Sequence, residues 1–177
     1  MEYFIVEEGY MWETILDILK EKAAEGVEVR FMYDGMCAIS MLPYDYPELI
    51  RSYGIQCKMS NKITPFLSTS QNNRDHRKIC VIDGKVAYTG GVNLGDEYIN
   101  RKVRFGHWKD TAFRLEGEGV WGLTSIFLEM WEVSMGYEIT TDYSVYMPTV
   151  KMPNDGFVQP FCDGPANNPN NPAEDVY

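Results

Sequence analysis

His76, Lys78 and Asp83 stand at the spacing H-x-K-x4-D, and a Gly-Gly-x-Asn run (Gly90, Gly91, Asn93) begins seven residues after Asp83. An imidazole two residues from an ammonium suits phosphoryl chemistry. The histidine is a nucleophile or proton carrier, and the lysine is a fixed cation for an anionic oxygen. The pair is useful only if both side chains point the same way. If Arg77 to Ile82 is a strand, alternation sends His76, Lys78, Cys80 and Ile82 to one face and Arg77, Ile79 and Val81 to the other. An isolated His-x-Lys is common by accident and reads as a strand-end histidine beside a solvated charge. Here Arg74, His76, Lys78, Asp83, Gly90, Gly91 and Asn93 all fall in one register, which the accidental reading does not explain.

The elements around this stretch have to present it. Glu2 to Val6 read as a short buried strand. From Tyr10 to Glu25, Trp12, Ile15, Leu16, Leu19 and Ala23 recur at helical spacing, with Glu13, Asp17, Lys20 and Lys22 facing away and Gly26 as the stop. Val27, Val29, Phe31 and Tyr33 alternate with Glu28 and Arg30 in a strand that ends at Asp34-Gly35. This strand-helix-strand predicts a right-handed crossover and a partly parallel sheet. A shorter helix over Tyr46 to Tyr53, entered through Pro47 and closed by Gly54, leads to a strand over Ile55 to Met59. Ser60 to Arg74 read as a polar loop that could line a site. Asp83-Gly84 is a tight turn that returns the chain as Lys85 to Thr89. Leu94 to Gly106 is loop or short turn, Asp110 to Leu115 a strand, and Glu118 to Met135 a helix with Val120, Leu123, Phe127, Met130, Trp131 and Ser134 on its inner stripe. Beyond Gly136 proline and asparagine accumulate, and only Phe157 to Phe161 resembles a strand. The boundary expected is therefore a catalytic unit over residues 1–136 and a linker over 137–177.

The chain has 177 residues, enough for one domain with a real core. Sixteen basic against twenty-six acidic residues give a formal charge of −10, which argues against a nucleic-acid partner. Cys37, Cys57, Cys80 and Cys162 are scattered without a metal-ligand spacing, which reads as reduced thiols in a reducing compartment. No run of apolar residues is long enough to span a bilayer and no secretion signal is present.

The string "NNRDHRKICVIDGKVAYTGGVNLGDEYIN" resembles the first H-x-K-x4-D motif of the phospholipase D superfamily, and within it that of the bacterial cardiolipin synthases. "GHWKDTAFRLEGEGVW" resembles the segment that follows it there, and "VQPFCDGP" the opening of the family's second half. The resemblance implies an α/β fold, a mixed β-sheet flanked by helices in an α-β-α sandwich, forming one half of a two-half enzyme. It implies displacement at a phosphodiester through a phosphohistidine, with two histidines from two motifs serving as nucleophile and acid. His76 would be one of these. Lys78 and Asn93 would bind phosphate, Asp83 would support the site's structure, and no metal or other cofactor would take part. Asp110 is the candidate to orient His76 and Glu97 the second. His107-Trp108-Lys109 is another His-x-Lys, but Arg114 stands where the motif needs Asp.

The resemblance thus implies phosphatidyl transfer between two phosphatidylglycerols, giving cardiolipin and glycerol. The partners it implies are that phospholipid, a membrane surface in the intact protein, and either the missing carboxy-terminal half or a second copy of the chain. The full-length protein would sit at the cell membrane with this domain in the cytoplasm, and the isolated half, soluble, would be inactive. Two other readings stay open: a homodimeric phosphodiesterase or nuclease of the same superfamily, and an inactive binding domain.

Overall fold

Three parallel strands come from the first third of the chain: β1 (Glu2–Tyr3), β2 (Arg30–Asp34) and β3 (Gln56–Ser60). The structure, a computed structural model, describes residues 1–61, 74–133, 142–149, 151–153 and 156–162. Helix α1 (Tyr10–Ala24) joins β1 to β2, and α2 (Cys37–Ser40) and α3 (Tyr46–Ser52) join β2 to β3. The direction then reverses. Strands β4 (Ile79–Ile82), β5 (Val86–Gly90) and β6 (Ala112–Glu116) form an antiparallel meander, and β4 pairs antiparallel with β1. The six-stranded sheet has the order β3-β2-β1-β4-β5-β6. Helix α4 (Val120–Val133) follows.

Alternation along β2 divides the core. Phe31 and Tyr33 face α1 and α3, while Met32 faces the other side. On the first side Trp12 is fully buried, its ring 4.7 Å from that of Phe31, and its Nε1 donates to the Tyr46 hydroxyl at 2.6 Å. Burying such a side chain contributes ~1.5–3 kcal/mol, which makes Trp12 the main anchor of α1. On the second side Val120, Leu123, Phe127 and Trp131 of α4 pack with Met32, Ile79 and Ala87. The result is the mixed sheet between helical layers expected of an α-β-α sandwich.

Most expected elements form, with shifted edges. The first strand is shorter: pairing stops at Tyr3, and Val6 joins the sheet only by an isolated bridge to Leu94. The strand expected from Arg77 begins at Ile79, which leaves His76, Arg77 and Lys78 in the approach to β4. The β4–β5 turn forms at Asp83 (φ 53°) and Gly84 (φ 63°), a left-handed pair that Asp and Gly tolerate best. Residues 156–162 pair with no strand, so the strand expected over Phe157 to Phe161 is not formed. The polar loop expected over Ser60 to Arg74 lies mostly outside the described residues, as does Ser134 of the helical stripe. Residues Tyr143–Tyr146 make a 3-10 turn whose Tyr143 hydroxyl donates to Glu132 at 2.7 Å and whose Tyr146 hydroxyl accepts from Arg30 at 2.7 Å. Among the described residues no helix is long and apolar enough to cross a membrane.

Candidate active site

The motif sits where β1, β2 and β3 end and β4 begins, at the carboxyl edge of the parallel strands. Such an edge is where open α/β sheets tend to place ligands. The centre of the site is the segment Phe4 to Val6, just past β1. The Asn93 carboxamide oxygen accepts from Ile5 N at 3.0 Å, and Leu94 N donates to Ile5 O at 3.1 Å. Behind it the Cys37 thiol donates to Phe4 O and accepts from Val6 N, each at 3.3 Å. Burial pushes that thiol up to about 11, so it stays protonated and able to donate.

Phe4, held in this way, carries the two residues that the motif pairs. The His76 ring stacks on it with 3.9 Å between centroids and 21° between planes, and Lys78 Nζ lies 5.6 Å from the same centroid. The histidine and lysine therefore converge on one aromatic platform, although neither lies in the strand proper. Lys78 Nζ also donates to the His76 carbonyl. Burial lowers its pKa, and the charges of Asp75 and Asp110 act against that shift.

Glu2, Asp75 and Arg77 hold the approach to His76 from below. Asp75 accepts from Arg77 through Nε and Nη2, each at 2.7 Å, and from Arg77 N at 3.1 Å. Glu2, only 2% exposed, lies 3.4 Å from Arg77 Nη2, yet neither of its oxygens accepts a hydrogen bond. Burial pushes Glu2 up to about 9, Asp75 pushes it further the same way, and Arg77 only partly offsets them. Burial would raise Asp75 too, but the hydrogen bonds and charge of Arg77 hold it at about 2. Glu2 is thus held as a neutral acid, and Arg77 pairs with the Asp75 carboxylate. Upstream, the buried Asp34 carboxylate accepts from Arg74 at 3.2 Å, Asn61 at 3.2 Å and Met36 N at 2.8 Å.

On the other side a chain of contacts runs from Asn93 to Asp110. Asn93 Nδ2 donates to the Tyr98 hydroxyl at 3.0 Å, the Tyr98 ring meets Trp108 edge-on at 4.6 Å, and Trp108 Nε1 donates to Asp110 at 3.1 Å. Gly91 makes room for that carboxylate, since a Cβ there would stand 2.7 Å from Asp110 Cγ.

The six expected site residues are not all together. His76 and Lys78 meet on Phe4, Asn93 holds the segment that carries Phe4, and Asp110 lies close enough for Lys78 to feel its charge. The Asp110 carboxylate is engaged by Trp108 and by Thr111 N at 2.7 Å, and no hydrogen bond joins it to His76. Glu97 is buried and pairs with Arg104 at 3.4 Å. Asp83 is exposed in the hairpin turn at the far end of β4, with Lys85 4.0 Å away. His107 is exposed. Sequence reasoning missed Phe4, which read as a strand residue, and the clamp of Glu2, Asp75 and Arg77. The available signal was the opposite charges flanking the histidine in Asp-His-Arg.

A family model described as "Cardiolipin synthase, PLD-like domain" matches residues 2–104, more than half of the chain. The chain belongs to that family. Its relatives include a protein of Streptococcus mutans described as uncharacterized, 49% identical over all of this chain and 38% of the relative. They also include the cardiolipin synthases of Alkalihalophilus pseudofirmus, 41% identical over 93% of this chain and 33% of the relative, and of Geobacillus thermodenitrificans, 38% identical over the same shares. The chain spans about a third of the length of the curated relatives it matches. NucT from Helicobacter pylori shares the fold, with a TM-score of 0.50 at 16% identity over 75% of this chain and 80% of NucT. Membership places the chain among phospholipase D-like domains.

Proposed function

We propose that the chain supplies one half-site of a cardiolipin synthase. His76 attacks the phosphorus of one phosphatidylglycerol. The bond from phosphorus to the headgroup glycerol breaks, and a histidine of the complementary half protonates the leaving oxygen. That second histidine then takes the proton from a hydroxyl of a second phosphatidylglycerol, whose oxygen attacks phosphorus. The phosphorus–nitrogen bond breaks, which releases cardiolipin and restores His76.

The observation that carries this reading is the convergence of His76 and Lys78 on Phe4 in a chain 41% identical to a cardiolipin synthase. In this reading Lys78 binds a non-bridging oxygen, and Asn93 adds the Nδ2 hydrogen that Tyr98 leaves free. Asp110 orients the imidazole after leaving one of its present donors, with Glu97 as the second choice, and Asp83 holds the hairpin that backs the motif. Residues 1–136 are the catalytic half, and residues 137–177 lead toward the other, which carries the second motif in a membrane-bound parent protein.

The test is reconstitution. The chain alone should make no cardiolipin from phosphatidylglycerol. Mixed with the carboxy-terminal remainder of the Streptococcus mutans relative, it should make cardiolipin and carry a phosphoryl adduct on His76 in quenched samples. Turnover by a proven monomer would overturn the half-site reading. A two-fold dimer with phosphodiesterase activity would replace it with a site built from two copies of His76.

A further inference from the structure

The segment from Ile99 to Lys109 contains no acidic residue, yet it holds four of the sixteen Lys and Arg residues of a chain whose formal charge is −10. Its tip exposes large apolar side chains, Val103 at 80% and Phe105 at 76%, with Ile99 behind them at 40%. The base is tied down. Asn100 accepts from Trp108 N at 2.6 Å and donates to Trp108 O at 2.9 Å, the Arg101 guanidinium lies 3.7 Å from the Tyr10 ring centroid, and Arg101 N and Lys102 N donate to Asp96 O at 2.9 and 3.2 Å. The apolar tip is thus held out from a fixed base.

The charges around the tip are sorted by depth. Lys102 pairs with Glu7 and Arg104 with Glu97, but the cations are 50% and 44% exposed while their acids are 24% and 4% exposed. Lys109 is exposed as well. The outer surface of the loop is therefore cationic, with aromatic and branched apolar groups at its crest. That combination fits an anionic bilayer, where the apolar groups enter the headgroup boundary and Lys and Arg meet lipid phosphates. It fits a protein surface less well, because the cores of such contacts are depleted in charge.

We infer that the 99–109 loop is a membrane-docking element that seats the His76 site on a bilayer containing anionic lipid. The inference rests on the proposed lipid substrate. Its placement gives it a role there, because the loop's base joins the site through Asn93–Tyr98 and Trp108–Asp110. Docking at the crest sets the depth of His76 relative to the lipid phosphates.

The experiment is co-sedimentation of the 177-residue chain with phosphatidylcholine vesicles, plain or doped with phosphatidylglycerol. The chain should bind the doped vesicles, and added salt should weaken that binding. The double variant V103D/F105D should lose roughly tenfold or more of the bound fraction with an unchanged circular dichroism spectrum. The variant K102Q/R104Q, which leaves the apolar crest intact, should lose the preference for doped vesicles. Wild-type binding by V103D/F105D would overturn the inference. So would loss of association with the complementary half without loss of vesicle binding, since that would make the loop a protein contact. Turnover of short-chain phosphatidylglycerol in detergent needs no docking, so it tests the proposed function separately.

Discussion

The imidazole of His76 lies flat on the ring of Phe4, 3.9 Å between centroids. The stack fixes the orientation of a side chain that is otherwise exposed and makes no hydrogen bond through its ring among the described residues. Phe4 is set in turn by Asn93 and Cys37, so in this structure the imidazole is positioned through an aromatic neighbour.

Replacement of Phe4 should therefore act on chemistry more than on stability. In the reconstituted enzyme Phe4→Ala should lower kcat by about 10–100-fold, the scale of a small misplacement of a reacting group, with a lesser change in KM. Phe4→Tyr keeps the ring and should keep most of the rate. Steady-state kinetics on both variants check this, and equal rates for all three proteins would show that the stack is incidental.

The Glu2–Asp75 pair predicts an unusual pH profile of stability. Folded Glu2 keeps a proton, with a pKa of about 9, that the unfolded chain gives up in the ordinary carboxylate range. The folded state therefore binds more protons in that interval, and stability should fall as pH rises from the Glu range toward 9, by up to ~1.4 kcal/mol per pH unit. Asp75, depressed to about 2, works in the opposite sense. Its contribution is complete above the ordinary Asp range and is lost as pH falls toward 2. Glu2→Gln should flatten the alkaline side, as urea midpoints measured on both proteins from weakly acidic to alkaline pH would reveal.

The two adjacent glycines should respond differently to alanine. At Gly91 the added Cβ meets the Asp110 side chain, which can swing away, so the cost should be about 1 kcal/mol and Lys78 should lose a nearby charge. At Gly90 it meets the Thr111 carbonyl and comes 2.6 Å from Ala112 Cα, which are backbone atoms of the paired strand. Gly90→Ala should cost ~3 kcal/mol or more. Thermal unfolding of the two variants gives the order directly.

The two histidines should separate cleanly. His76→Ala should abolish phosphoryl labelling and turnover in the reconstituted enzyme, whereas His107→Ala should leave most of both, since His107 is exposed outside the motif. Equal losses would mean that the nucleophile has been misassigned.

What could be read from the sequence was what local chemistry determines. The stripe of α1, the Pro47 entry of α3 and the Asp83-Gly84 turn each depend on residues a few positions apart. The motif itself was legible because its spacing survives in one dimension. The Phe4 platform was not, because it depends on β1 ending at Tyr3 and on Asn93 reaching across to Ile5, 88 positions away. The neutral Glu2 was equally hidden, since a Glu at the start of a strand reads as solvated until the sheet closes over it. Asp83 shows the converse. It is close to His76 in the motif's spelling, but a whole strand of ~3.3 Å per residue separates them in space.

The ion pair between Asp34 and Arg74 carries one more consequence. It joins the end of β2 to the residue two before His76, and Arg74 also donates to Asn61 O at 2.6 Å, so both ends of the intervening stretch are fastened beside the site. The approach to His76 is thereby clasped to the end of β2 by two side chains that stand 40 positions apart in the sequence.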